Sequence, residues 1–230
     1  LVTAAAALTV LVLFSLVFYI LIKGIPNLKP SLFEWKYTSK NASMMPAIIN
    51  TITMVLMTLL IAVPFGIGSA IYLTEYAKRG NKVVPVIRMT TETLSGIPSI
   101  VYGLFGYMAF VRWLDWGYSL MAGIITLAIM ILPLIMRTTE EALLAVPDSY
   151  REGSYGLGAG RLRTIFRVVL PSAMPGILSG VILGVGRIVG ETAALIYTAG
   201  SVTGVPDSLM SSGRTLAVHM YALLSEGLYT

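Results

Sequence analysis

The chain has 230 residues, 56% of them hydrophobic and 12% charged, with a net charge of +5. A soluble domain carries about twice that charged share, so composition places the chain among membrane proteins. It has no cysteine and one histidine, His219, which excludes disulfides, iron–sulfur clusters, thiolate metal sites and any site built on two imidazoles. The basic residues are scattered between apolar runs, a pattern that orients a chain in a bilayer and forms no nucleic-acid patch.

In chain order, five charge-free stretches reach the length needed to cross the hydrocarbon core: 1–22, 41–74, 93–111, 116–136 and 168–186. The first is too long for a signal-peptide core, and no small-residue cleavage site follows it, so it reads as a membrane helix. The second contains Pro46 near its start and Pro64 inside, where the missing N–H predicts a kink. Segment 23–45 carries Lys23, Lys29, Lys36 and Lys40 with Trp35 and Tyr37, a loop with interfacial aromatics. Segment 75–92 carries Lys78, Arg79, Lys82 and Arg88; 112–115 is short and flanked by Trp113 and Trp116. The longest connection, 137–167, holds Arg137, Arg151, Arg161, Arg163 and Arg167. The bias of Lys and Arg predicts that 75–92, 137–167 and the N-terminus are cytoplasmic. Beyond the fifth span, 200–213 is rich in Gly, Ser, Thr and Pro and reads as an irregular loop. Segment 215–224 is apolar but too short to cross. The odd span count makes a sixth helix beyond Thr230 the natural completion. No internal repeat of hairpin length stands out.

The connection 137–167 has apolar residues at helical spacing (Ala142, Leu143, Val146, then Leu162, Ile165, Phe166). Pro147 predicts a break, Asp148 or Ser149 a cap for a short helix, and Gly156, Gly158 and Gly160 its end. A helix, a short helix and a third helix then project from the membrane, a shape suited to a groove on a soluble partner. From Glu152 the residues run Glu-Gly-Ser, three positions, Gly158, nine positions, Val-Val-Leu-Pro. This resembles the EAA loop of the permease subunits of bacterial ABC importers, with Gly153 and Ser154 in place of two alanines and Val168 in place of isoleucine. "LSGIPSIVYGLFG" (94–106), "GETAALIYTAG" (190–200) and "RTLAVHMYALLSEG" (214–227) are similar to the phosphate-specific permeases, the last to their PstA-type branch.

The resemblance implies an all-α polytopic membrane protein with the type I ABC importer permease fold. One transmembrane domain over 1–230 is expected, with 46–230 the permease core and 137–170 the cytoplasmic loop. It implies that Ser149, Tyr150, Arg151, Glu152, Gly153, Ser154 and Gly158 meet an ATPase subunit. The implied partners are a second, PstC-like permease, two PstB-like ATP-binding subunits, a PstS-like phosphate-binding protein and membrane lipid, with no nucleic acid. ATP and Mg are expected on the ATPase, and no cofactor or catalytic residue on this chain, which lacks a Walker A sequence. The implied location is the bacterial inner membrane.

The segment "GRIVGETA" (186–193) ends the fifth apolar run with Arg187 and Glu191 one helical turn apart. Arg187 is sixteen residues beyond Pro171, roughly 24 Å at 1.5 Å per residue, which predicts a position past the midplane in the outer half. A snorkelling pair is the bland reading. The functional one is a polar passage, in which a guanidinium fork fits an oxyanion and a neighbouring carboxylate loosens its grip. The resemblance adds that these two residues belong to the translocation path. Thr192 adjoins them. Glu92, Ser95 and Ser99, around Gly96-Ile97-Pro98, are secondary candidates for the path. Gly176, Gly180 and Gly184, and likewise Gly186 with Gly190, predict close helix packing. Arg137, Glu140 and Glu141 read as a solvated face, His219 as an interfacial residue, and Tyr102, Phe105 and Phe110 as packing aromatics. Phosphate is the expected cargo. Sulfate or molybdate is the alternative, and an ion-gradient-driven carrier or a lipid-phosphate enzyme is less well supported.

Overall fold

The computed structural model describes residues 1–38, 41–77 and 80–226, and every regular element among them is helical. Lys40, Lys78, Arg79 and Gly227, named above, lie outside the described residues. The chain divides into two units, Leu1–Met45 and Pro46–Thr230. In the first unit, α1 (Val2–Gly24) is apolar on every side and has no buried residue, the pattern of a helix whose solvent is lipid. Two short 3₁₀ turns, Ile25–Asn27 and Pro30–Phe33, follow it. Asn41 then ties the loop, donating to the Glu34 carboxylate at 2.7 Å and the Lys36 carbonyl at 2.9 Å.

The second unit holds α2 (Met45–Ile71), which runs on through Pro64 into a π-helical turn, Tyr72–Tyr76. Next come α3 (Val83–Ser95) and α4 (Ser99–Gly106), the latter extended by a π-helical stretch, Tyr107–Trp113. Segment 75–92, expected as a loop, is therefore largely helical. Helix α3 escaped detection because Arg88 and Glu92 interrupt its apolar face. The third span is bent by 99° at Gly96-Ile97-Pro98. Helix α5 (Leu120–Leu144) is the most buried span. Then follow α6 (Asp148–Gly156), α7 (Arg161–Thr164), a π-helical turn (Ile165–Val169), α8 (Leu170–Val189), α9 (Ala193–Thr198) and α10 (Leu216–Glu226). Four helical runs are long and apolar enough to cross a membrane, five with the bent pair.

Helices α5 and α8 form an antiparallel seam whose register the glycines set. A methyl at Gly176 would lie 2.7 Å from the Ala142 side chain, one at Gly180 would strike Thr138, and one at Gly184 would lie 3.3 Å from Ile135. The glycines spaced four apart from Gly176 to Gly184 are thus a packing device, whereas Gly186 faces open space and Gly190 meets only the Gly186 carbonyl, so that pair does not pack another helix as expected. The end of α5 near Ser119 is closed by the 200–213 loop. Its carbonyls from Ser211 and Leu209 take the free N–H groups of Leu120 and Met121 at 3.0 and 2.8 Å, which a helix start requires. The loop is irregular, as expected, but pinned. Asn50 of α2 donates to the carbonyls of Gly204 and Arg214 at 2.9 and 3.1 Å. The opposite end of α5, near Leu144, carries α6. Two apolar clusters fill the interior. Met54, Tyr102, Leu127, Ile131, Ile188 and Leu195 belong to the one nearer Ser119. Ile71, Leu143, Ile165, Val169 and Ile177 belong to the one nearer α6.

Candidate functional site

Two chain breaks meet at the middle of the bundle. Helix α8 ends at Gly190, and α9 begins at Ala193 and continues toward the Ser119 end, where Ala199 faces Gly123. Helices α4 and α9 lie side by side, close enough that a methyl at Gly103 would sit 2.7 Å from the Ala194 Cα. Gly184 lies against Ile135 and Ile131 of α5, and Arg187 is less than one turn further, about 4.5 Å. Arg187 is therefore level with the centre of α5 rather than in the outer half of the span. Counting from Pro171 misplaces it because α8 begins well beyond the α6 end of α5.

Arg187 is half-buried. Among the described residues no carboxylate lies within ion-pair distance of it. Nearby, the Tyr102 hydroxyl donates to the Leu94 carbonyl at 2.8 Å, across the Gly96-Ile97-Pro98 break. Tyr102 thereby bridges that break while its ring packs in the core, as its reading as a packing aromatic expects. The pairing expected between Arg187 and Glu191 is absent because the helix stops at Gly190 and the i,i+4 geometry ends with it. Glu191 is buried, and its carboxylate accepts the Ala194 N–H at 3.0 Å. It serves the first turn of α9, whose N–H groups have no intrahelical acceptor.

Of the other path candidates, Thr192 stands at the N-cap of α9. Ser95 and Ser99 flank the third-span break, and the Ser95 hydroxyl donates back to the Glu92 carbonyl at 2.8 Å. Glu92 is remote from the centre: it is exposed and lies 3.9 Å from Arg137, toward the α6 end. The solvated-face reading holds for Arg137 and Glu141, an exposed pair at 3.0 Å, but not for Glu140. Glu140 is buried and ion-paired with Arg88 of α3, a partner fifty-odd positions away that local sequence cannot show. His219 is fully buried.

The loop residues divide by facing. Pro147 occupies the α6 N-cap with no side-chain bond, so neither Asp148 nor Ser149 caps the helix as expected. Gly158 takes φ +81° to turn the chain back, a conformation that disfavours other residues. Ser149, Tyr150, Glu152 and Gly153 are exposed. Arg151 instead turns inward. Its guanidinium donates to the buried Glu75 carboxylate at 2.7 and 3.1 Å, and to the carbonyls of Leu143 and Val146 at 2.9 and 2.8 Å. It also reaches Asp148 at 3.3 Å. Ser154 is likewise engaged, 2.8 Å from the Thr164 hydroxyl. Arg151 is thus a strut from α6 to the ends of α2 and α5. Glu75, its anchor, was missed because 76 positions separate the two.

Residues 62–229 match the family model described as the binding-protein-dependent transport system inner membrane component. The chain is 35% identical over 241 residues to the probable ABC transporter permease protein YqgI of Bacillus subtilis, covering 97% of this chain and 81% of that one. It is 43% identical over 154 residues to the phosphate transport system permease protein PstA 2 of Mycobacterium bovis, covering 67% of this chain. The match spans 50% of that relative's length. Among solved structures, the inward-facing MetNI methionine ABC transporter superposes with a TM-score of 0.57 at 20% identity. That match covers 81% of this chain and 88% of the other, and it shows the fold. The expected type I importer permease fold is thereby met, and the chain belongs to the binding-protein-dependent transport system inner membrane components.

Proposed function

We propose that this chain is the non-catalytic, membrane-spanning subunit of an ATP-driven importer of inorganic phosphate. The observation that carries the reading is Arg187: a half-buried arginine at the level of the centre of α5, beside the Gly190 helix break, with no carboxylate among the described residues paired to it. An arginine there costs on the order of 3 kcal/mol on insertion scales, so a passing anion is the partner that offsets it. Broken helices at mid-depth supply backbone polar groups where a substrate needs them. Relatives named as phosphate transport permeases support phosphate as the anion. The Glu191 carboxylate, fixed by Ala194, accepts a bond from a protonated phosphate oxygen, which sulfate at neutral pH lacks.

In this reading a PstC-like permease completes the passage, a PstS-like protein delivers phosphate, and two PstB-like subunits bind ATP and Mg. The α6 end and the N-terminus face the cytoplasm. Tyr150, Glu152 and Gly153 of α6 meet the ATPase, and Arg151 passes the motion of α6 to α2 and α5.

The test is uptake of labelled phosphate by vesicles holding the assembled transporter, with sulfate as competitor. Arg187→Gln lowers uptake at least tenfold, roughly the loss of one charge-assisted hydrogen bond, while ATPase subunits still co-purify. Uptake at the normal rate by Arg187→Gln, or equal competition by sulfate, overturns the assignment.

A further inference from the structure

At the α6 end, a cavity of about 790 Å³ opens between the last turn of α2, the start of α3, and α6 with α7. Among the described residues its charged lining is Glu75, Lys82, Arg88, Asp148, Arg151 and Arg161. Arg151 is engaged by Glu75 and Asp148, and Arg88 by Glu140. Lys82 and Arg161 form no ion pair among the described residues. Arg161 lies over the Tyr76 ring at 4.9 Å. Lys82 stands at the N-cap of α3, where the helix dipole adds to its positive field.

A second, apolar cleft of about 390 Å³ adjoins this cavity, and Leu73 lines both. Pro64, Phe65, Gly68, Tyr72, Ile87 and Met136 form its walls. Phe65 and Tyr72 are exposed, and the space before the Gly68 Cα is open. From Tyr72 back to Pro64 the cleft follows α2 for about 12 Å, away from the basic cavity and into the depth of the bundle. A cationic chamber and an apolar groove along a membrane helix, set side by side with Leu73 in the wall of both, have the form of an amphiphile's negative.

We propose that these two cavities together bind an anionic phospholipid, its phosphate on Lys82 and Arg161 and an acyl chain along the Pro64–Gly68–Tyr72 side of α2. The shared chemistry of the chamber is a phosphate group. The groove beside it selects the lipid over the free ion, because inorganic phosphate has nothing to place there. This site is separate from Arg187 and stands whether or not the transport reading holds.

The test is lipid retention by the full chain, purified in its membrane assembly and followed by native mass spectrometry with phosphatidylglycerol, with phosphatidylcholine, and with inorganic phosphate. Phosphatidylglycerol is retained in preference to phosphatidylcholine. Removing each cation weakens retention about fivefold, so Lys82→Gln with Arg161→Gln lowers it about twenty-five-fold. Gly68→Leu fills the groove without touching the cations, and it too lowers phosphatidylglycerol retention while the thermal midpoint stays at the wild-type value. Equal retention of both lipids, or wild-type retention by the double variant, overturns the proposal. Displacement by inorganic phosphate combined with indifference to Gly68→Leu assigns the chamber to a free anion and overturns it as well.

Discussion

Breaking the Arg151–Glu75 pair is the sharpest test of how the loop is held. The side chains are 15% and 7% exposed and meet at 2.7 Å, so solvent screens them little. Removing one partner of a buried pair costs about 3–5 kcal/mol, mostly because the survivor stays buried and unpaired. Glu75→Ala belongs at the lower end of that range, since Arg151 keeps two carbonyls and Asp148. Arg151→Ala belongs at the upper end: it strands the Glu75 carboxylate and uncovers the carbonyls of Leu143 and Val146 together. Replacing both, as Glu75→Ala with Arg151→Ala, leaves neither charge buried without its partner. The double variant is therefore more stable than the sum of the singles by at least about 1.5 kcal/mol. Denaturant unfolding in detergent, followed through tyrosine and tryptophan fluorescence, measures the cycle. Singles that lose less than about 1 kcal/mol, or losses that add, refute a buried strut of this kind. Arg137→Ala, which breaks an exposed pair, is the control and leaves the midpoint unmoved.

Two further expectations concern packing and capping. Gly180→Ala drives a methyl into the Thr138 side chain and costs about 1–3 kcal/mol, whereas Gly186→Ala meets open space and gains up to about 1 kcal/mol of helix propensity; thermal melts in detergent separate them, and equal shifts would contradict the seam. Glu191→Ala leaves the buried Ala194 N–H without its acceptor, a loss of about 1–3 kcal/mol. Glu191→Gln keeps a carbonyl oxygen there and recovers most of it in the same melt; a Gln variant no better than Ala places the carboxylate elsewhere.

What the sequence disclosed follows the range of each interaction. Pro147 and Gly158 mark the turns around α6 because their backbone preferences act within a residue or two. The row Gly176, Gly180, Gly184 announces close packing through its period, though not the residues it meets on α5. The helix α3 was hidden because an amphipathic segment carrying Arg88 and Glu92 resembles a polar connection until Glu140 and Arg137 are known to face it. Arg151 looked like a surface charge of a docking loop. Only the fold brings Glu75 under it. The Arg187–Glu191 spacing suggested a pair on one helix, and Gly190, the residue that ends that helix, stands between them.

Those long-range contacts also explain how a displacement at α6 would reach Arg187 under the transport reading. Arg151 fastens α6 to α2 through Glu75, and to α5 through the carbonyls of Leu143 and Val146. The glycine row holds α8 against α5 so closely that neither slides without the other; packed interfaces of this kind hold discrete arrangements rather than deform smoothly. A shift entering at the loop therefore travels along α5 and α8 as one body. Continuous helix cannot absorb it. The Gly190-Glu191-Thr192 and Gly96-Ile97-Pro98 breaks can, through a few backbone torsions. Tyr102, whose hydroxyl donates to the Leu94 carbonyl, bridges the second of these breaks. Under the transport reading, the Arg187 cation beside the first break is placed where a carrier must alternately hold and release an anion.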